Sequence, residues 1–188
     1  MERVAWTREE IRRFLEVSPG DRLGAIWRLA LATGLRRGEL LGLQWSDVEE
    51  GFVTVARQVL VRPRPVKGAL RVYVRDTTKT RRIRKVRFDE ATAAALRRWR
   101  VEQSEDRLAF GGAWKSDGGL GVEAPWIVTE PDGMVVHPDT LLARWQRLVK
   151  AAGVPAIPLH GVHAADGDEP SRTATEGAEC DQNCDQRP

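Results

Sequence analysis

Three stretches hold the residue types most able to do chemistry. The first is Thr33-Gly34-Leu35-Arg36-Arg37-Gly38-Glu39-Leu40-Leu41, where an arginine pair and a glutamate interrupt an apolar run. Arginine close to a core is costly unless it is paired or aimed at an anion. Gly34 stops the preceding helix, as glycine commonly does. Arg36 then falls at or near the start of the next helix, where free N–H groups and the helix dipole favour an anion. A guanidinium fork placed there suits a phosphate. A solvated Arg–Glu surface pair accounts for this stretch alone equally well.

The second stretch, Arg57 to Arg87, holds twelve Lys/Arg and a single acid, Asp76. A solvated basic face is the bland reading, but a hairpin this basic in an otherwise balanced chain is more easily explained as a phosphate-backbone contact surface. Asp76-Thr77-Thr78-Lys79-Thr80-Arg81-Arg82 reads as the tip between two strands. Lys79 can reach a ligand from there and can act as a general acid if its pKa is lowered. The third stretch is Pro158-Leu159-His160-Gly161-Val162-His163. Two histidines three apart lack a third metal ligand at sensible spacing. Cys180 and Cys184, spaced C-x3-C, are expected to hold neither zinc nor a disulfide. There is no phosphate loop, no Gly-x-Gly-x-x-Gly and no convincing nucleophile–base pair among serines or cysteines. No metal and no cofactor are expected.

The elements that must position these residues follow from patterning. Thr7 and Glu10 form a capping box ahead of a helix to about Glu16, with Trp6 and Ile11 spaced as a staple. Leu23, Ile26, Trp27, Ala30 and Leu31 give the core stripe of a second helix over 21–32. Leu40, Leu41 and Leu43 pack a short third helix. Residues 51–88, rich in β-branched residues, read as a small antiparallel sheet. Asp89 caps a helix from Glu90 to about Arg107. Trp126–Thr129 and Met134–Val136 read as a strand pair about a turn, and His137-Pro138-Asp139 opens a last helix that Gly153 stops.

The 188 residues suit one domain with a substantial core. No apolar run approaches the ~20 residues of a membrane span, and nothing resembles a signal peptide, so a cytoplasmic location is expected. The net charge of +3 is uneven: 164–188 carry seven acids and two bases, leaving +8 on the remainder. A basic body points to an anionic partner, most commonly nucleic acid. The same 164–188 segment has no Val, Ile, Leu, Met, Phe, Tyr or Trp, and is expected to be a disordered tail.

Taken in order, these stretches resemble the tyrosine recombinase (phage integrase) catalytic domain. Thr33 to Leu41, then Leu43, Trp45, Asp47 and Val48, resemble its first motif. Lys79-Thr80-Arg81-Arg82 resembles its β-hairpin lysine segment, with Val86 to Glu90 the exit into a helix. Gly133 to Asp139 and Leu159-His160-Gly161-Val162 also fall in the family's order. The resemblance covers roughly 5–162 and implies an α+β fold, mainly helical with a small antiparallel sheet. In this family an arginine pair clamps the scissile phosphate and a tyrosine attacks it, leaving a 3′-phosphotyrosyl link. A hairpin lysine protonates the departing 5′-oxygen, without metal or nucleotide. By position, Arg36 is the first clamp arginine, Glu39 its supporting acid, Lys79 the general acid and His160 the histidine of the second motif. Arg37, Arg75, Arg81 and Arg82 join Lys79 as expected DNA contacts.

The departures shape the expected function. The second motif should end in arginine, but position 163 is His163, and the only tyrosine is Tyr73 on the hairpin. The catalytic-type helices begin within ten residues of Met1, so the family's N-terminal DNA-gripping domain is not expected. Resemblance and composition break at one point, which implies a frame shift near Val162–His163. The expectation is thus an incomplete catalytic domain over 1–162 and an out-of-frame tail over 163–188. Such a chain would bind double-stranded DNA, with other recombinase subunits as partners and no membrane, but would not cleave alone. The alternatives are a non-catalytic DNA-binding or interaction module that pairs with an intact recombinase, and a non-functional fragment.

Overall fold

The computed structural model describes residues 5–62, 72–76 and 83–159. Lys79, Arg81, Arg82, His160 and the whole 163–188 segment lie outside the described residues.

The first helix, α1 (Arg8–Val17), starts at the expected capping box: Thr7 Oγ1 accepts from the Glu10 N–H, and the Glu10 carboxylate accepts from the Thr7 N–H at 2.7 Å. Trp6 is fully buried while Ile11 only packs at the core's edge, so the staple closes from one side. A 3-10 turn (Ser18–Gly20) leads to α2 (Gly24–Thr33), three residues later than the apolar stripe implied. Asp21 accounts for the delay. Its carboxylate accepts from the Leu23 N–H and the Trp27 indole N–H, tying the chain into a turn ahead of the helix. Gly34, at φ 60°, ends α2 as expected. After it come α3 (Arg37–Leu41), a 3-10 turn (Trp45–Asp47), five strands, and helices α4 (Glu90–Phe110) and α5 (Pro138–Ala152). No helix among the described residues is long and apolar enough to cross a membrane.

The sheet region departs from one continuous sheet. β1 (Val48–Glu49), β2 (Phe52–Val55) and β5 (Arg84–Arg87) form one antiparallel ladder, and β3 (Arg57–Val61) pairs with β4 (Val72–Asp76) in another. The chain passes between them at Ala56. The expected strand pair over 126–129 and 134–136 is reduced to a single bridge, Thr129 to Val135. Two backbone hydrogen bonds hold it, from the Val136 N–H to Val128 O at 3.1 Å and from the Glu130 N–H to Met134 O at 2.8 Å, and the neighbouring groups turn to other parts of the chain. The Ile127 N–H donates to Leu43 O at 3.1 Å, and the Val135 N–H to Gly118 O at 3.0 Å.

The core is built on aromatics at the seam of α1, α2 and α5. Trp145 on α5 stacks on Trp6 with centroids 5.3 Å apart, and touches Phe14 at 4.8 Å and Trp27 at 6.0 Å. Both indole N–H groups reach the segment after α5: Trp6 donates to Pro155 O at 2.8 Å and Trp145 to Ile157 O at 3.0 Å. Ile157 and Leu159 are buried, so the chain is fixed up to the residue before His160. At the far end of α4, Gln103 accepts from the Trp45 indole and donates to Trp126 O and Thr129 Oγ1, closing the core there.

One contact sets α3 against the second sheet. A Cβ at Gly38 would lie 2.9 Å from Val59 O, and one at Gly42 would lie 2.9 Å from Arg57 O and 3.0 Å from the Gln58 Cα. Two glycines one helical turn apart therefore let the α3 backbone rest on the β3 backbone. Any larger residue would force them apart, since the obstructing atoms are main chain.

Candidate functional site

Arg36 stands at the N-cap of α3, extended at φ −69° and ψ 151°. Its backbone N–H donates to Glu39 Oε2 at 3.0 Å. Its side chain is exposed and forms no hydrogen bond or ion pair with any described residue. The surface Arg36–Glu39 ion pair allowed by the sequence therefore does not form: Arg36 is the extended residue ahead of the helix, and the Glu39 carboxylate folds back to its backbone N–H instead.

Glu39 is instead taken by Arg84, which the sequence reading passed over. Arg84 lies on β5 and forks onto the carboxylate, Nη1 to Oε1 at 3.0 Å and Nη2 to Oε2 at 2.8 Å. The Glu39 side chain is only 5% exposed, while that of Arg84 is 46% exposed. Burial works against ionisation of Glu39. The Arg84 fork, the Arg36 N–H and the charges of both arginines outweigh it and hold the carboxyl below its ordinary range. Since folding depresses this pKa, the stabilisation is complete above the unfolded-state value and is lost as pH falls through the folded one. Thermal stability of the wild type should therefore fall more steeply below about pH 4.5 than that of Glu39→Gln. Parallel acid limbs in the two melting series would contradict this.

The remaining expected contacts divide. Arg37 is half-exposed, with Nη1 3.7 Å from Asp139 Oδ1 on the first turn of α5. His137, the N-cap of α5, also faces Asp139 at 3.7 Å. Arg75 is exposed on β4, opposite Gln58. With the Gln58 amide turned so that its oxygen faces Arg75, it accepts from Nη2 at 2.9 Å and Nε at 3.2 Å. Lys79, Arg81, Arg82 and His160 lie outside the described residues, so only Arg36, Glu39, Arg37 and Arg75 of the expected set are placed. Tyr73, on β4, sits under the Arg62 guanidinium, 4.6 Å from the ring centroid.

Not all of the twelve-cation run is free to meet an anion. Arg57 pairs with Asp47, Arg84 with Glu39 and Lys85 with Glu49. Asp47 also accepts from the Gln44 N–H at 2.8 Å, fixing the turn after α3. Local pattern could not single these cations out, because each acid lies 10 to 45 residues earlier in the chain.

The mainly helical α+β architecture with its small antiparallel ladders is that of a tyrosine-recombinase-type catalytic domain. The family described as the phage integrase family matches residues 6–163, and the chain belongs to it. A tyrosine recombinase XerC-like protein of Caldanaerobacter subterraneus subsp. tengcongensis is 30% identical over 159 residues, 82% of this chain and 40% of that protein. Among solved structures, the Tn1549 transposon integrase in complex with a circular intermediate DNA superposes at a TM-score of 0.65 and 21% identity, covering 86% of this chain and 51% of that one. XerA recombinase superposes at 0.60 and 20% identity, over 84% and 47%. At such identities the superpositions speak for the fold. The chain spans 40% of the XerC-like relative's length.

Proposed function

We propose that this chain is a DNA-binding catalytic-type domain of a site-specific recombinase, which seats the phosphodiester backbone at Arg36. The observation that carries this reading is the exposed Arg36 guanidinium, left without an acid partner among the described residues, beside a glutamate already neutralised by Arg84. The duplex is the natural partner of that charge and of the exposed arginines on the hairpin. The family membership and the DNA complex of the Tn1549 integrase support the same partner. In the family's chemistry Arg36 would neutralise charge on the scissile phosphate, with Lys79 as general acid and His160 beside it.

The 188-residue polypeptide is expected to bind without cleaving. Its only tyrosine is Tyr73, held under Arg62 on β4, and position 163 is histidine where the second clamp arginine belongs. Without a nucleophile the covalent step is missing. A nicked suicide duplex tests both halves. The expected result is salt-dependent binding with no covalent adduct, and Arg36→Ala should flatten the salt slope by about one unit. An adduct would overturn the inactivity, and salt-independent or absent binding would overturn the DNA reading.

A further inference from the structure

The Glu39 carboxylate is nearly saturated. Oε1 accepts from Arg84 Nη1, and Oε2 accepts from both Arg84 Nη2 and the Arg36 N–H. With a side chain only 5% exposed, little water can compete for it. Arg36, whose own N–H already meets Oε2, is the cation on the same cap that a vacated Glu39 carboxylate would take instead in an ion pair. In the structure that pair stays open. The difference is Arg84, anchored on β5, whose Cα pairs with that of Val55 in the three-stranded sheet.

We propose that Arg84 is a positioning residue: by occupying Glu39 it keeps that carboxylate from closing onto Arg36, and so leaves the Arg36 guanidinium available to an anion. The charges of Glu39 and Arg84 cancel, and Arg36 keeps its own. Glu39 keeps its contact to the Arg36 N–H, which orients the cap, and feels the Arg36 charge without an ion pair to the guanidinium. Arg84 follows Lys79 by five residues in sequence, so one short segment supplies both the family's general acid and the group that frees its phosphate arginine. The functional half of this inference rests on the reading of Arg36 as a phosphate seat.

The test compares Arg84→Gln, Glu39→Gln/Arg84→Gln and Arg84→Lys with the wild type on a short duplex of arbitrary sequence at low salt. Arg84→Gln should weaken binding about tenfold or more, as loss of a charged hydrogen bond commonly does. The double variant should return close to wild-type affinity although it also lacks Arg84, because a neutral glutamine cannot capture Arg36. Arg84→Lys, which keeps the charge, should fall between them. If Arg84 simply touches phosphate, the double variant will bind as weakly as Arg84→Gln, and the proposal fails.

A second readout does not depend on DNA. The Arg36 Nε–H resonance should become protected from exchange in Arg84→Gln and lose that protection in the double variant. An unchanged resonance overturns the proposal even if every variant binds. The expected resonance pattern in a chain that binds no duplex would uphold the positioning role and overturn the DNA reading instead. Should Arg84→Gln fail to fold, Arg84→Lys against Glu39→Gln/Arg84→Lys gives the same comparison.

Discussion

Trp145→Ala should lower stability by about 3–5 kcal/mol, the range for deleting a large buried aromatic. The side chain is 1% exposed and touches Trp6, Phe14 and Trp27, so the space it vacates borders three large rings that cannot all move inward. Its indole also donates to Ile157 O, and the variant leaves that buried carbonyl unmet. Trp145→Phe separates the two effects: it keeps most of the ring contact and loses only the donor, so a cost of about 1–2 kcal/mol is expected. Denaturant midpoints of the three proteins measure both. A Trp145→Ala penalty below about 1 kcal/mol would contradict a seam organised around this ring. The same variant should free the segment leading to His160, visible as faster amide exchange at Ala156, Ile157 and Leu159 than global unfolding explains.

Asp47→Ala carries the second largest expected effect. Asp47 and Arg57 form a largely buried pair, their side chains 8% and 19% exposed. Removing the acid strands the guanidinium and also frees the Gln44 N–H, so about 3 kcal/mol of destabilisation is expected. Asp47→Asn, which keeps the acceptor but not the charge, should cost less. Replacing the pair together, Asp47→Asn with Arg57→Met, should recover much of the loss, because it leaves no buried charge unpaired and keeps the acceptor for the Gln44 N–H. If Arg57 served mainly to meet DNA, Arg57→Met alone would flatten the salt slope of duplex binding with little effect on melting. The structure calls for the reverse.

Much of the fold was legible in the sequence because its signals are local. The Thr7–Glu10 box, the Gly34 and Gly153 stops and the Asp89 cap each rest on residues within one turn of each other, and each stands where expected. The position of Arg36 at the start of α3 was readable for the same reason. What escaped is long-range. Glu39 lies 45 residues before Arg84, and nothing in a dense run of arginines marks which one turns inward. The division into two ladders, and the shortness of the strand pair at Thr129, whose neighbours Ile127 and Val135 bond to Leu43 and Gly118, depend on partners that no short pattern announces. The two-histidine stretch and the lysine tip rest on family likeness alone, since Lys79 and His160 lie outside the described residues.

The contact of Gly38 and Gly42 with β3 has an evolutionary corollary. What those glycines meet is chiefly main chain, the carbonyls of Val59 and Arg57 and the Gln58 Cα. Main-chain atoms are the same whatever side chain a codon specifies. Residues such as Gln58 and Leu60 can therefore be exchanged through mutation without disturbing the helix that carries Arg36. Those positions are free to diversify what the strand displays while the arginine's scaffold is inherited unchanged.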